Sequence, residues 1–152
     1  MSVDEKLKEL GIQLPPPPQP AGSYTRAVRT GSLLFVAGQL PMAEGEIRFS
    51  GKVGKDLSIE EGQAAARLCA LNALSVLQAE AGSLDQVAQI VRLGGFVCSG
   101  EGFTGQAQVV NGASELFAEL LGEKGIHARL AIGCSELPLG AAVELEVIAA
   151  LA

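Results

Sequence analysis

Aromatic and basic side chains, the two groups with which proteins hold nucleic acids, are scarce in this sequence. The chain of 152 residues has no Trp, one Tyr and five Phe, and its formal net charge is −6. Nucleic-acid binding relies on a basic surface and on rings that stack with bases. The composition therefore argues against a protein that binds DNA or RNA.

Histidine and cysteine are also scarce. His127 is the lone histidine, and no partner lies near it at the spacing of metal ligands. Cys69, Cys98 and Cys134 lie far apart in apolar runs, and their number is odd. Such thiols are typical of a buried core rather than of a disulfide framework or a zinc site. We expect no metal, and we expect His127 at the surface or at an interface.

Long apolar runs are missing as well. The first ten residues, MSVDEKLKEL, lack the apolar core of a signal peptide, and no stretch approaches the length of a membrane span. We therefore expect a cytoplasmic protein that does not contact membranes.

What remains is the composition of an ordinary folded protein, with 48% hydrophobic and 18% charged residues. The apolar spacing from Val3 to Leu10 predicts a short helix, and Pro15 to Pro18 impose an extended segment. We predict an N-terminal helix and proline-rich arm over residues 1–21, packed on the surface. Residues 22–152 are predicted to form one domain.

The order of the elements in that domain indicates a sheet covered on one face. Ser58 and Glu61 form a capping box, which starts a long helix that Gly82 ends. A second helix is predicted from Gln106 or Gln108 to Leu121. Strands are predicted at 24–28 and 33–37, which form a hairpin, at 87–98, and twice within 127–148 on either side of the turn at 137–140.

Two long helices cannot cover both faces of about five strands. The strands carry many apolar residues, such as Val36, Ile132 and Leu145. An oligomer that buries the second face of the sheet is the simplest physical solution.

Three charges stand inside the two apolar strands at the end of the chain. Arg129 opens the first strand, and Glu144 and Glu146 share one face of the second because side chains alternate along a strand. Such charges either pair with each other across a hairpin or serve a site. The residues alone leave both alternatives open.

Several short segments resemble the RidA family, also called the YjgF family. They are Gly22-Ser-Tyr24, Val36-Ala-Gly38-Gln39-Leu-Pro41, Asn111, Ala128-Arg129, Leu137-Pro138 and Val143-Glu144-Leu-Glu146. The resemblance covers roughly Gly22 to Ala149. The N-terminal arm and the Gly100–Gly105 loop depart from the short members and indicate a separate subgroup.

The resemblance implies an α+β, chorismate-mutase-like fold: a mixed sheet with two long helices on one face. It further implies a homotrimer with an inner β-barrel and with clefts between subunits. The activity implied is the hydrolysis of small 2-imino or 2-enamino acids to 2-oxo acids and ammonia, without a cofactor. The substrate would carry a carboxylate.

The same resemblance assigns roles to individual residues. Arg129 is expected to bind the substrate carboxylate, since a guanidinium takes a carboxylate in a bidentate fork, and Glu144 is expected to orient the attacking water. Both are the candidate catalytic residues. Tyr24, Gly38 and Asn111 are expected to join Arg129 in substrate binding.

Each of these residues also has a purely structural interpretation. Tyr24 suits a half-buried packing position, Gly38 suits a strand end, and Asn111 suits a helix N-cap. Glu146 is interpreted as a structural partner that pairs with a cation across the interface.

Two departures from the family pattern weaken the expected polar site. Ala37 stands where the family usually has a hydroxyl, and Ala131 stands where it usually has a Cys. They favour the alternative of a non-catalytic trimer that binds small carboxylates or regulates partners. An older family label, ribonuclease or translation inhibitor, is disfavoured by the acidic charge and the few aromatic rings.

Overall fold

The computed structural model describes residues 1–20 and 22–152. It consists of one five-stranded mixed sheet with two long helices on one face, a two-stranded ribbon and a short N-terminal helix. The helices are α1 Val3–Glu9, α2 Ile59–Ala81 and α3 Gln106–Leu121. The strands are β1 Ala27–Thr30, β2 Leu33–Gln39, β3 Met42–Ala43, β4 Glu46–Ile47, β5 Val87–Cys98, β6 Ala128–Cys134 and β7 Val143–Leu151. This architecture confirms the predicted α+β class and the mixed sheet.

The start of α2 is fixed by the predicted capping box. The Ser58 hydroxyl accepts from the Glu61 amide, and the Glu61 carboxylate accepts from the Ser58 amide, both at 3.1 Å. Gly82, at φ 85°, ends the helix in a conformation that side chains disfavour. The predicted bounds of this helix are therefore confirmed.

The main core lies between the helices and one face of the sheet. Along β7 the buried residues alternate strictly with half-buried ones, as a strand with one covered face requires. Val36 and Leu145, at 5% and 0% exposure, belong to this covered face. The expectation that they need an oligomer for cover is wrong for both, because α2 and α3 already bury the face to which they point.

The last two strands do not pair with each other, so the hairpin that the sequence left open as an alternative is absent. The strand order is β1-β2-β7-β5-β6, so β5 separates β6 from β7. Helix α3 connects β5 to β6, and a strand-helix-strand unit places its two strands parallel and side by side. Strand β7 then fills the gap between β2 and β5, antiparallel to both.

The other face of the sheet is apolar and open. Its apolar residues follow from the register with Glu144, Glu146 and Ile148 of β7; they are Val28, Phe35, Phe96, Leu130, Ile132 and Ile148. Phe35, Leu130 and Ile132 are each about 40% exposed, at 41%, 41% and 40%. We call this surface the open face.

The N-terminal arm packs on the rest of the chain. The Val3 amide donates to the Asp85 carboxylate at 2.9 Å, Leu7 is buried, and the Ser75 hydroxyl donates to the Pro15 carbonyl at 2.6 Å. The predicted boundary at residue 21 lies outside the described residues. No helix in the described ranges is long and apolar enough to cross a membrane.

Two of the three cysteines are in the core. Cys69 and Cys98 are 0% and 2% exposed, whereas Cys134 is half-buried at the end of the edge strand β6. The expectation of a buried thiol is therefore wrong for Cys134, because β6 has a neighbour on one side only.

Candidate functional site

Arg129 lies on the covered side of β6, where its guanidinium is held against α3. Its Nη1 donates to Asn111 Oδ1 at 2.7 Å and to Ser114 Oγ at 3.1 Å, and its Nη2 donates to the Ala107 carbonyl at 3.3 Å. The three acceptors occupy successive turns of one helix face. The side chain is exposed and lines a cavity of about 340 Å³.

Asn111 is therefore a partner of Arg129 and not a helix N-cap. The helix begins five residues earlier, with Gly105 in the N-cap position. The structural interpretation of Asn111 is wrong because the helix extends to Gln106, the earlier of the two predicted starts.

Arg129 also forms no ion pair with Glu144 or Glu146. It faces the covered side of the sheet, in register with buried Leu93, whereas both glutamates face the open side. Because β5 lies between β6 and β7, the alternative of an ion pair across a hairpin, which the residues had left open, is wrong.

Ser114, which accepts a hydrogen bond from Arg129, is itself hydrogen-bonded to His127. Ser114 Oγ lies 2.9 Å from His127 Nε2, and His127 Nδ1 lies 2.7 Å from the Gly125 carbonyl. The imidazole meets the ring of Phe117 edge to face, with centroids 5.9 Å apart and an angle of 86° between the planes. His127 lines the same cavity as Arg129 and is half-buried, in accord with a position at the surface.

Glu144 lies on the open face beside Gly38. A Cβ at position 38 would stand 3.0 Å from Glu144 Cδ and still closer to one carboxylate oxygen, so the carboxylate occupies the space that the glycine leaves. Gly38, Phe96, Leu137, Glu144 and Glu146 line a cavity of about 300 Å³. Gly38 is thus more than a strand end, because a larger residue would displace the carboxylate.

Partial burial raises the pKa of the Glu144 carboxyl above its ordinary value of 4.5, and the negative charge of Glu146 adds to this effect. Among the described residues Glu144 has no cationic partner. A raised pKa makes this carboxylate a stronger proton acceptor for a bound water than an ordinary surface glutamate.

Glu146 is held by a cation of its own chain. Arg92 Nη1 donates to Glu146 Oε1 at 2.9 Å on the open face. The Glu146 side chain crosses over Gly94, where a Cβ would stand 2.8 Å from Glu146 Cγ. The structural interpretation of Glu146 thus gains a partner, but that partner lies on the neighbouring strand rather than across an interface.

Tyr24 lies near Gly38, in a cavity next to the one that Glu144 lines. It lines a small cavity of about 40 Å³ together with Ala37 and Gly38, and it is 53% exposed. The alternative of a half-buried packing position for Tyr24 is therefore wrong. Ala131 lies on the covered side with Arg129 and packs against the core.

The expected site residues thus form two separate groups. Gly38 and Glu144 lie together on the open face, with Tyr24 beside Gly38 in the adjoining cavity, and Arg129 and Asn111 lie together on the side of α3. One small molecule cannot contact both groups of one chain, because the sheet stands between them. We call them the glutamate half-site and the arginine half-site.

Two residues that support these half-sites, Ser114 and Arg92, were not identified from the sequence. Ser114 follows Asn111 by three positions, and on a helix that spacing places both on one face. Arg92 stands two positions before Gly94, which is the spacing of one strand face. These two spacings are the sequence signals from which both residues could have been identified. No group of three or more metal-binding side chains lies in the part of the chain that the structure describes.

Comparison with known proteins identifies a matching family and several relatives of this chain. Residues 4–151 match the family described as "YjgF/chorismate_mutase-like, putative endoribonuclease". The chain is 45% identical to Protein TCP17 of Trypanosoma cruzi over 150 residues, which are 98% of this chain and 94% of the relative.

Two solved structures are similar over almost the whole chain. Atu1372 of Agrobacterium tumefaciens, described as of unknown function, is 42% identical with a TM-score of 0.90, and the match covers 99% of this chain and 92% of that one. A protein of Shewanella oneidensis MR-1, described as a "putative endoribonuclease", is 31% identical with a TM-score of 0.96. That match covers 99% of this chain and 100% of the relative.

Proposed function

Since the chain belongs to the YjgF/chorismate mutase-like family, we propose that it is a cofactor-independent deaminase of small 2-imino or 2-enamino acids. The products are 2-oxo acids and ammonia. Arg129 binds the substrate carboxylate, and Glu144 orients and deprotonates the attacking water. The match also confirms the resemblance to the RidA and YjgF proteins that the sequence segments carry.

One observation carries the proposal: Arg129 and Glu144 are opposite charges without an ion-pair partner among the described residues, and each lines a cavity. Surface charges that serve stability alone are commonly solvated or paired, as Arg92 is with Glu146. An unpaired guanidinium and a partly buried carboxylate with a raised pKa are what an anionic substrate and a water nucleophile require.

The reaction needs few groups because the protonated imine is already electrophilic. Glu144 takes a proton from water while the oxygen forms a bond to the imine carbon. Glu144 then returns this proton to the nitrogen of the resulting carbinolamine, the C–N bond breaks, and ammonia leaves. The hydroxyl loses its proton to solvent as the carbonyl of the 2-oxo acid forms. Fixing the carboxylate at Arg129 holds this carbon in place, and placement alone can supply much of the acceleration.

The separation of the half-sites supports a site shared between subunits. A complete site requires the arginine half-site of one copy to meet the glutamate half-site of another. The apolar open face, which carries Glu144, provides the surface on which copies associate. We therefore propose a homotrimer with an inner barrel and three such clefts, located in the cytoplasm.

The deaminase is tested with 2-imino acids made in place by an amino-acid oxidase. Wild-type protein should accelerate formation of the 2-oxo acid. Glu144→Gln should lose about 10²- to 10⁴-fold of that acceleration, the usual contribution of a positioned base. Arg129→Ala should raise KM steeply, while Arg48→Ala, which removes an exposed arginine paired with Glu44 and Glu46, serves as the control. Absence of acceleration, or full acceleration by Arg129→Ala, would refute the proposal.

The shared site has its own test. At substrate concentrations near the wild-type KM, Arg129→Ala and Glu144→Gln protein are each expected to have little activity alone. Coexpression should restore activity, because some clefts then combine a wild-type Arg129 from one copy with a wild-type Glu144 from another. Mixed oligomers that form but stay inactive would show that both residues act within one chain.

The second candidate is a non-catalytic trimer that binds small carboxylates. Ala37 favours it, because this residue lines the cavity beside Tyr24 and Gly38 without offering a hydroxyl to substrate or water. Saturable binding of pyruvate to wild-type protein, lost in Arg129→Ala, with no turnover of any imine, would support this candidate over the deaminase.

The family and the Shewanella relative are both described as putative endoribonucleases. For this chain the net charge of −6 and the acidic pair Glu144 and Glu146 on the open face oppose the binding of a polyanion. Salt-dependent RNA binding by nuclease-free protein would reverse that judgement.

A further inference from the structure

Arg129 is the end of a chain of hydrogen bonds that begins at the backbone of residue 125. We propose that Ser114 and His127 are positioning residues that fix the guanidinium of Arg129, so that its Nε–Nη2 edge is the one offered to a carboxylate. The inference rests on the proposed function in taking Arg129 as the anion anchor. It adds which neighbours set that anchor and which edge binds.

The donor and the acceptor of each hydrogen bond in this series follow from which groups can donate. The Gly125 carbonyl can only accept, so His127 Nδ1 carries the hydrogen of the 2.7 Å contact. In the neutral ring Nε2 is then an acceptor, and it takes the hydroxyl hydrogen of Ser114 at 2.9 Å. The lone pairs of Ser114 Oγ are left to accept from Arg129 Nη1 at 3.1 Å.

The far end of this chain is attached to the core. The His127 ring meets Phe117 edge to face, and Phe117 is fully buried. Gly125 lies so close to the Phe117 backbone that a Cβ there would overlap the Phe117 carbonyl. Residue 125 must therefore be glycine for its own carbonyl to reach the imidazole, and the imidazole has little freedom to move.

The near end determines which donors remain. A guanidinium has five N–H groups. Three are used: two on Nη1, to Asn111 and Ser114, and one on Nη2, to the Ala107 carbonyl. The remaining two are on Nε and Nη2, and neither has an acceptor among the described residues. Nη1 and Nη2 both donate to the same face of α3, so we assign the Nη2 hydrogen on the Nη1 side to Ala107. The two free hydrogens then form the Nε–Nη2 edge, which matches the two oxygens of a carboxylate in a bidentate pair.

Loss of the Ser114 hydroxyl should loosen this arrangement. One hydrogen of Nη1 would lose its acceptor, and the guanidinium would sample rotations in which the Nε–Nη2 edge turns away. We expect Ser114→Ala to weaken pyruvate binding by about 3- to 10-fold, the usual worth of one hydrogen bond. Ser114→Thr keeps the hydroxyl and should stay within about twofold of wild type, and Ser32→Ala, at an exposed turn, is the matched control.

His127→Phe keeps the ring contact with Phe117 but removes both nitrogens. Because Ser114 and His127 act through one chain, the double variant should bind pyruvate no more weakly than Ser114→Ala alone. Independent contributions would instead multiply the two losses.

Nuclear magnetic resonance of arginine side chains tests, without any ligand, whether Ser114 and His127 hold the Arg129 guanidinium in place. In wild type the hydrogen-bonded Nη groups of Arg129 should rotate slowly and give separate signals. In Ser114→Ala and in His127→Phe faster rotation should average these signals, whereas Ser114→Thr should keep them separate. Unchanged Arg129 signals together with unchanged pyruvate affinity in Ser114→Ala would overturn the inference. A wild type that neither binds pyruvate nor hydrolyses imines would instead refute the proposed function. The arginine signals would still show whether Ser114 and His127 restrict the Arg129 guanidinium.

Discussion

At the scale of single residues, small differences in surroundings give like charges different tasks. Glu144 and Glu146 share one face of β7 and stand two positions apart. Glu146 pairs with Arg92, whereas Glu144 has Gly38 beside it and no cation among the described residues. The neighbours on β2 and β5 therefore decide that one glutamate is structural and the other is available for chemistry.

The raised pKa of Glu144 makes a prediction about stability. Folding favours the protonated carboxyl, so its contribution to stability is fully present below the unfolded value near 4.5 and is lost as the pH rises through the folded pKa. Glu144→Gln, which mimics the protonated form, should raise the free energy of unfolding at pH 7. The gain should be below about 1 kcal/mol, since solvent screens a half-exposed carboxylate.

Urea denaturation at pH 7 and at pH 4 measures this effect. The gain should vanish at the lower pH, where both proteins carry a neutral side chain at position 144. Glu101→Gln, at an exposed loop position, should show no gain at either pH. A gain of equal size at both values would show that charge is not its cause.

At the scale of elements, the close crossing of α2 and α3 holds the arginine half-site in place. Gly112 of α3 lies against the backbone of Gln63 on α2, where a Cβ would stand 2.8 Å from the Gln63 carbonyl carbon and 2.9 Å from its Cα. The Gln63 side chain also donates to the Gln108 carbonyl at 2.9 Å. The face of α3 that carries Asn111 and Ser114 depends on this contact for its distance from β6.

Gly112→Ala should therefore destabilise the protein even though alanine favours helices. The intrinsic gain is about 1 kcal/mol, but backbone atoms cannot move aside as a flexible side chain would. We expect a net loss of about 1–3 kcal/mol in the free energy of unfolding, as in other overpacked cores. Denaturation in urea measures the loss, with Glu119→Ala on the exposed side of α3 as the control. A more stable Gly112→Ala protein would show that the helices separate freely.

At the scale of the whole molecule, the open face is the feature that a single chain leaves unexplained. It carries Phe35, Leu130 and Ile132 in contact with solvent, and large apolar patches on soluble proteins mark association surfaces. Under the proposed function, covering this face and completing the divided site require the same event, the association of copies.

Phe35→Glu should prevent that association, because an unpaired carboxylate would have to be buried in an apolar interface. Wild-type protein is expected to sediment as three copies and the variant as a smaller species without deaminase activity. Ala79→Glu, an exposed position on α2, adds the same charge on the helical side and should sediment as wild type does. A wild type that sediments as one copy would refute the trimer.

Much of the fold was predictable because it depends on local signals. The capping box at Ser58 and the strand over Val87 to Cys98 were correct. The hairpin around Gly31 forms, but its first strand is Ala27–Thr30 rather than the predicted 24–28. The pairing of strands was not predictable in this way. Strands β6 and β7 are consecutive in sequence, yet β5 lies between them, and nothing in either strand specifies which edge of β5 it takes.

The sequence by itself determined the chemical groups of this protein: an arginine and two glutamates in apolar strands, glycines beside them, and a family resemblance that names their roles. Only the tertiary structure decided that Arg129 and Glu144 face opposite sides of one sheet, and that Ser114 and His127 stand behind the arginine. The physical reason is that alternation along a strand fixes which residues share a face, whereas the order of strands and the position of helices fix what each face meets.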